Sequence, residues 1–222
     1  MGQSASSYLF VYRIKYGLCP VDGVQLHGES KMMIYFDALT QADCEQIRGW
    51  RNDDISGART PYLLTGAQQG DFYRDVVCDR DSKHRYWAIV QTEHVDEPEK
   101  QQGFFRIGAI EYDHRSLVGI AGLTDIEWEN GRAEIALMID PDKRGKEHGK
   151  TALDELYMWG FDRMRLHTLY GNVYACNPSF AFWEKMIMYG EMIRREIPYG
   201  KWWAGKWWTT MYFQMSLEQW ER

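Results

Sequence analysis

The sequence predicts an α+β domain, in which a mixed, mostly antiparallel sheet is flanked by helices. Apolar runs of strand length follow one another between 104 and 140 with only short polar breaks, as in an antiparallel meander. Two helical patterns precede these runs, and a helix, a strand, a further helix and two strands follow them. No repeat or linker interrupts this order, so residues 32–222 are expected to form one domain behind an N-terminal extension, residues 1–31.

The first helix of the domain is predicted from its cap. Thr40 and Asp43 stand at capping-box spacing, in which each side chain accepts a hydrogen bond from the other residue's backbone N–H, and the helix is expected to reach about Trp50. Periodicity and turn residues predict the other early elements: a strand at 8–16 in the extension, a strand at 32–36, a helix at 70–79, a strand at 84–90 and a charged solvent loop at 94–103.

The middle of the chain is predicted to be a meander of three strands, at 104–113, 116–128 and 132–140. The last two strands are separated by Glu-Asn-Gly, which contains the Asn-Gly pair typical of tight hairpins. A helix follows, because apolar residues recur at helical spacing: Leu153, Leu156, Tyr157, Gly160, Phe161 and Met164. The closing elements are predicted to be a strand at 168–176, a helix at 179–189 and strands near 192–197 and 208–217.

Composition and charge exclude several classes of protein. The 222 residues are 45% hydrophobic and 26% charged, an ordinary balance for a globular domain. A formal net charge of −6 argues against general nucleic-acid binding, which needs many basic side chains to neutralise phosphates. The cysteines have neither disulfide nor zinc-site spacing, so no metal is expected. With no apolar run of membrane-spanning length and no signal peptide, the protein is expected to be cytoplasmic and to have no membrane partner.

The segment 137–156, LMIDPDKRGKEHGKTALDEL, predicts an anion-binding site. An apolar strand ends, a basic turn with two glycines follows, and a helix begins. Unpaired N–H groups and the helix dipole favour negative charge at such a helix start. Further positive charge around the turn comes from Lys143, Arg144, Lys146 and Lys150. On the loop alone, an ordinary solvated basic turn is the alternative interpretation.

The element order and the loop at 141–153 together resemble the GNAT superfamily of acyl-CoA-dependent N-acetyltransferases. The resemblance extends from about Ile34 to Trp220. Within it, NPSFAFWEK at 177–185 is similar to the family's Asn-x-x-Ser…Tyr-Glu-Lys segment, and residues 205–220 are similar to its closing strand. The resemblance implies a GNAT-like central sheet and acetyl-CoA as the co-substrate.

Two positions depart from the family's pattern. Its loop reads Arg/Gln-x-x-Gly-x-Gly/Ala; Arg144 and Gly149 match the ends, and Glu147 replaces the middle glycine. Trp183 replaces the tyrosine that protonates the leaving thiolate in many relatives. The resemblance implies that loop N–H groups hold the pyrophosphate, and it assigns the donor site to Leu137, Met138, Ile139, Arg144, Gly145, Lys146, Glu147, His148, Gly149, Lys150, Trp183 and Asn177, with Cys176 as the alternative for the family's asparagine.

Acetyl transfer to an amine needs a group that takes up a proton and groups that stabilise the oxyanion and the thiolate. Glu134 is the candidate base, directly or through water; the alternative is a glutamate on the solvent face of its strand. Ser179 is the candidate proton donor, since Trp183 cannot readily donate one; the alternative is an N-cap of the following helix. A backbone N–H near Met138 is expected to polarise the thioester carbonyl.

Candidate acceptor contacts come from two tryptophan-containing segments. WRND resembles a Trp-Arg-Asn found in GNAT branches that acetylate nucleotide sugars or ribosomal-protein N-termini (RimJ/RimL-like), which makes Arg51 and Asn52 candidates. An ion pair from Arg51 to a neighbouring aspartate is the alternative. Trp202 and Trp203 in KWWAGKWW are candidates for stacking on the acceptor; the alternative is a hairpin that packs on the core or on the partner of a homodimer.

The sequence therefore favours an acetyl-CoA-dependent N-acetyltransferase. Its expected acceptor is a primary amine of a small molecule, with a nucleotide sugar as one option, or of a protein N-terminus. The alternative is a catalytically impaired GNAT-fold module that binds acyl-CoA for regulation or interaction, and the substitutions at Glu147 and Trp183 are its support. Acetyl-CoA turnover on a set of amines distinguishes the two.

Overall fold

Seven strands form a single sheet in the computed structural model, which describes residues 33–60, 62–92 and 115–222. The strands are β1 (Met33–Ala38), β2 (Arg85–Thr92), β3 (Ser116–Glu127), β4 (Arg132–Ile139), β5 (Thr168–Tyr174), β6 (Ile193–Trp203) and β7 (Lys206–Ser216). Their order is β1-β2-β3-β4-β5-β7-β6, and neighbours are antiparallel except for β4 and β5, which are parallel. This confirms the predicted α+β class with a mostly antiparallel mixed sheet.

Helices cover both faces of this sheet. Within the described ranges they are α1 (Gln41–Asp53), α2 (Gly66–Phe72), α3 (His148–Tyr157), α4 (Phe180–Tyr189) and the short α5 (Leu217–Trp220). Side chains from α3 and α4 share one buried cluster with Ile89, whereas α1 packs with the next residue, Val90, in a second cluster. Because successive strand residues point to opposite faces, the two clusters lie on opposite sides of the sheet. β3 lies between them and is buried along most of its length.

The capping box predicted for α1 is confirmed. Thr40 Oγ1 accepts from Asp43 N at 3.1 Å, and the Asp43 carboxylate accepts from Thr40 N at 2.9 Å. The same carboxylate binds Arg115 through two hydrogen bonds of 2.8 Å. Burial alone would raise the pKa of Asp43, but the hydrogen bonds from Arg115 and Thr40 outweigh it and hold the pKa below its ordinary value. The start of α1 is thereby tied to the residue that precedes β3.

The predicted start of the second helix is wrong. α2 begins at Gly66, not Gly70, because Thr65 and Gln68 form a second capping box. The helix then widens into a π-helical turn, Tyr73–Val77. Two glycines in its short span weaken the periodic signal, which is why the sequence pattern misses the first turn.

The helix predicted after the basic loop is confirmed. Leu153, Leu156, Tyr157, Gly160 and Phe161 are buried, and Met164 packs against the same core. The last part of the stripe lies in a π-helical turn, Met158–Arg163, that continues α3. A 3-10 turn, Pro141–Lys143, connects β4 to this segment.

KWWAGKWW is not a loose connection between the last strands. β6 and β7 continue through it, and only Ala204 and Gly205 form the turn. Trp202 is paired with Trp207 across the two strands, with ring centroids 5.5 Å apart in an edge-to-face arrangement. The hairpin alternative therefore describes this segment, and strand pairing fixes its tryptophans.

Several sequence predictions lie outside the described residues: the extension 1–31 with its strand at 8–16, the loop at 94–103 and the strand at 104–113. The strands predicted at 116–128 and 132–140 are confirmed as β3 and β4, and the Asn-Gly turn joins them. Among the residues that the structure describes, no helix has the length and apolar character needed to cross a membrane.

Candidate active site

The parallel strands β4 and β5 pair over one short stretch and then part. Residues 132–134 pair with 168–170, and the ladder between the two strands ends there. β4 stays paired with β3, and β5 with β7, so each strand beyond this point has one free edge. A cavity of about 830 Å³ opens at this parting, hereafter the opening, and reaches the basic loop after β4. A cavity of this size suits an organic ligand.

The free edge of β4 presents backbone donors to the opening. Asp140 N donates to Val118 O at 2.8 Å, toward β3. Because N–H groups alternate along a strand, Met138 N–H also faces β3, and the N–H groups of Leu137 and Ile139 face the opening. The donor expected near Met138 is therefore assigned to its two neighbours on β4.

The basic loop (residues 141–147) forms one end of the cavity. Gly145 has a φ of 77°, a left-handed conformation that glycine adopts without strain. Glu147 has a φ of 64° and stands at the N-cap of α3, where its side chain makes no capping hydrogen bond. A Cβ at Gly149 would lie 3.2 Å from the Phe182 ring, so glycine allows the first turns of α3 and α4 to approach closely. The first N–H groups of α3 are left available to a ligand.

The basic side chains of this region differ in their roles. Arg144 and Lys150 line the cavity, but Lys146 does not. Lys143 also lines it, although its Nζ is bound to Ser116 Oγ at 2.7 Å and Leu117 O at 2.6 Å. Burial first, and then the charges of Lys146 and Lys143, lower the pKa of His148. An anion at this end would therefore meet Arg144, Lys150 and the helix start.

Glu134, the candidate base, lies where β4 and β5 part and is only 5% exposed. Its Oε1 accepts from Arg59 Nη2 and from Asn172 Nδ2, the latter at 3.3 Å. Within the described part of the chain, Oε2 makes no hydrogen bond. The predicted alternative, a glutamate on a solvent face, is wrong, because this side chain is buried beside the cavity. Its second oxygen is available to a ligand.

Arg59 was missed by sequence reasoning. It lies in loop 54–60, after α1, which carries no motif in the sequence. Burial alone would lower its pKa, but the hydrogen bond to Glu134 raises the pKa overall. Arg59 Nη1 also lies 4.0 Å from Asp125 Oδ2. No local pattern could reveal a contact between residues so distant in the sequence.

Ser179 does not cap α4 with its side chain. Its Oγ donates to Asn177 Oδ1 at 2.8 Å, and its N–H donates to the same oxygen. The expected N-cap hydrogen bond is therefore absent. Trp183 is 7% exposed and stacks on Phe213 with ring centroids 4.5 Å apart, so most of it belongs to the core. Ser179, Asn177 and Trp183 all contribute to the cavity wall.

The predicted acceptor contacts divide into one side chain at the cavity and three elsewhere. Arg51 lines the cavity and donates to Thr60 Oγ1; no ion pair with a neighbouring aspartate is found in the described ranges. Asn52 holds the backbone of Leu64 through two hydrogen bonds, of 2.8 and 2.9 Å, and does not face the cavity. Trp202 is 56% exposed on the β6–β7 hairpin, and neither it nor Trp203 lines the cavity. Backbone hydrogen bonds engage Asn52 and strand pairing engages the two tryptophans, and the acceptor role of all three stays a prediction.

Other cavity residues were not predicted. Tyr86 of β2, Phe72 of α2 and Tyr174 of β5 line the wall near Glu134. Lys201 of β6 does not line the cavity; it contacts loop 54–60 and is 8% exposed. Its Nζ donates to Ser56 O and Ala58 O at 2.6 and 2.5 Å. A buried ammonium thereby fixes the backbone of the loop that carries Arg59.

Most of the residues predicted to bind acetyl-CoA line one cavity. They are Leu137, Met138, Ile139, Arg144, Gly145, Glu147, His148, Gly149, Lys150, Asn177 and Trp183. Lys146 is exposed and lies outside it. Among the residues described, no three His, Cys, Asp or Glu side chains come together as a metal site.

Solved structures with the same fold include several spermidine N-acetyltransferases of Vibrio cholerae. One, in complex with CoA and spermine, has a TM-score of 0.65 and 16% identity, over 85% of this chain and 98% of that chain. A dodecameric structure in an intermediate state has a TM-score of 0.62 and 16% identity, over 84% and 95% of the two chains. At this identity the similarity establishes the fold.

No curated protein matches the chain. The profile of the acetyltransferase (GNAT) domain matches residues 34–185, which is more than half of the chain and includes β1, β4, the basic loop and most of α4. The chain therefore belongs to the GNAT acetyltransferase family.

Proposed function

We propose that this protein is a cytoplasmic N-acetyltransferase that transfers the acetyl group of acetyl-CoA to a primary amine. The observation that carries the proposal is the single cavity that joins the basic loop to Glu134 along the free edge of β4. A donor with anionic phosphates at one end and a reactive thioester at the other fits this arrangement. The family of the chain supports the same reaction.

The residues present fit acetyl-CoA. The left-handed Gly145 and the unpaired N–H groups at the start of α3 form a cradle of the kind that binds phosphates. Arg144 and Lys150 add charge-assisted hydrogen bonds. When bound, acetyl-CoA supplies the activated acetyl group. The carboxylate of Glu147 weakens acetyl-CoA binding in this arrangement, because it is close to the phosphates and repels them.

The free edge of β4 has a role in the chemistry. Attack on a thioester places negative charge on the carbonyl oxygen, and fixed N–H donors stabilise that charge best because they need no reorganisation. The N–H groups of Leu137 and Ile139 are such donors. They hold the acetyl group in the orientation that the amine requires.

Glu134 takes up the proton of the amine through Oε2. Arg59 and Asn172 both bind Oε1, which fixes the orientation of the carboxylate and leaves Oε2 toward the acceptor. An amine that approaches from α1, α2 and β2 meets this oxygen before it reaches the free edge of β4. The transfer occurs directly or through one water molecule.

The acceptor is proposed as a small primary amine, with a protein N-terminus as the second option. The relatives in the solved structures are named for spermidine. In this chain the acceptor side carries Arg51 and Arg59 as well as Asp54 and Glu134, so its charge is mixed. We also propose that the chain forms a homodimer, for which the exposed Trp202–Trp207 pair would supply apolar contact surface.

Release of free thiol from acetyl-CoA tests the proposed function. The purified chain is assayed with spermidine, glucosamine and a dipeptide with a free N-terminus, and products are identified by mass. We expect amine-dependent thiol release with at least one acceptor. In parallel, acetyl-CoA at 100 times its Kd should raise the free energy of unfolding by about 2.7 kcal/mol. Stabilisation by acetyl-CoA without turnover on any amine would favour the binding module. If acetyl-CoA neither stabilises the chain nor releases thiol, the proposal is overturned.

A further inference from the structure

We propose that Tyr174 is the proton donor to the leaving thiolate, an inference that rests on the proposed N-acetyltransferase function. Ser179, the candidate donor from the sequence, has another partner, and Trp183 cannot readily donate a proton. Ser179 Oγ already donates to Asn177 Oδ1, and Trp183 is stacked in the core. Of the two phenols that line the cavity in the described ranges, burial raises the pKa of Tyr86 to about 12, which makes it a poor acid. The other is Tyr174.

The position of Tyr174 follows from strand geometry. It is the last residue of β5, where β5 has parted from β4. Side chains at alternate positions of a strand share a face, so Tyr174 lies on the face of Asn172. Asn172 in turn contacts Glu134 at 3.3 Å. The candidate base on β4 and the phenol on β5 therefore face the same side of the opening, from opposite strands.

Two cationic side chains lie beside Tyr174. Lys201 Nζ lies 4.6 Å from the centroid of the Tyr174 ring. Arg59 also interacts electrostatically with the Tyr174 phenol. Negative charge that develops on the phenol oxygen during proton transfer is attracted by these two cations. Both are held by hydrogen bonds, from Lys201 to Ser56 O and Ala58 O and from Arg59 to Glu134.

The proton transfer balances without a further reactant. The amine nitrogen forms a bond to the acetyl carbon, and its proton passes to Glu134. The carbon–sulfur bond breaks, its electron pair stays on sulfur, and Tyr174 Oη gives its proton to that sulfur. The phenolate then takes up a proton from solvent, and Glu134 releases its proton to solvent. A thiol and an amide leave.

Tyr174→Phe tests this role, because it removes the acidic proton and keeps the ring beneath Lys201. We expect kcat to fall about 10²-fold, the lower end of general acid assistance, with an unchanged melting temperature. An aryl thiolate leaves without protonation. With an aryl thioester as donor, the kcat of Tyr174→Phe should therefore lie within about 3-fold of the wild-type kcat. Tyr170→Phe is the matched control, because Tyr170 stacks on Tyr212 and does not line the cavity.

A binding measurement tests the same contact without turnover. Calorimetry compares CoA with a desulfo analogue in which hydrogen replaces the thiol. In the wild-type chain CoA should bind several-fold more tightly than the analogue, and Tyr174→Phe should remove that difference. A variant with wild-type kcat, or with an equal deficit on both thioesters, would overturn the proposal for Tyr174. A wild-type chain that neither binds CoA nor releases thiol would instead overturn the proposed function.

Discussion

Glu134→Gln is expected to lower kcat about 10²–10⁴-fold while acetyl-CoA affinity stays nearly unchanged. Glutamine has the shape of glutamate and still accepts from Arg59 and Asn172 through one oxygen. It cannot take up a proton. Since Glu134 lies at the far end of the cavity from the basic loop, donor binding should not depend on its charge.

Steady-state kinetics on the acceptor identified above measure the effect, and thermal melts show whether the variant is folded. Asp125→Asn is the matched control: Asp125 also lies near Arg59 but does not line the cavity, and asparagine tolerates its φ of 48°. The control should keep most of its kcat. A Glu134→Gln enzyme that is fully active across the pH range would remove Glu134 from the mechanism.

Arg144→Ala is expected to weaken acetyl-CoA binding by roughly 10- to 150-fold, since a charge-assisted contact is worth about 1.5–3 kcal/mol. Arg144 lines the cavity, and within the described ranges its side chain makes only a 3.3 Å hydrogen bond to Ile139 O. Lys146→Ala is the control of equal charge, because Lys146 lies outside the cavity. Calorimetry measures the Kd for acetyl-CoA in both variants. An equal loss of affinity in the two would contradict a specific contact from Arg144 and indicate a general effect of positive charge.

Glu147→Gly is expected to change acetyl-CoA affinity in the opposite direction from Arg144→Ala. It removes the carboxylate beside the phosphates, so acetyl-CoA should bind more tightly. It also relieves a left-handed conformation that costs about 1–2 kcal/mol, which exceeds the roughly 0.4–1 kcal/mol of unfolded-chain entropy that glycine adds. Glu191→Gly, at a φ of 50° in a distant turn, should share the gain in stability but not the gain in affinity.

Local patterns predicted the elements of the fold well. The capping box at Thr40, the Asn-Gly turn before β4 and the apolar stripe of α3 each depend on residues a few positions apart, which a sequence displays directly. The start of α2 was missed because two glycines in its seven residues weaken the helical pattern. The two closing strands were predicted too short around KWWAGKWW, because cross-strand pairing orders this segment.

The candidate site was predictable only where it follows a motif. The basic loop at Arg144 and Gly149 has a sequence signature, and the structure brings it to the cavity. Arg59 and Lys201 have none, because their partners lie far along the chain: Glu134 for Arg59 and the backbone of Ser56 and Ala58 for Lys201. Asn52 shows the converse, since a motif match there marks a side chain that holds backbone.

Hydrogen exchange of the backbone amides, with and without acetyl-CoA, tests the central claim that the opening between β4 and β5 holds the donor. Free edges and helix starts exchange readily, and a bound ligand slows them. We expect saturating acetyl-CoA to protect the amides of Leu137, Ile139 and residues 144–150, while β1 and β6 exchange as before. Protection that spares the edge of β4 and the basic loop, or no protection at all, would contradict it.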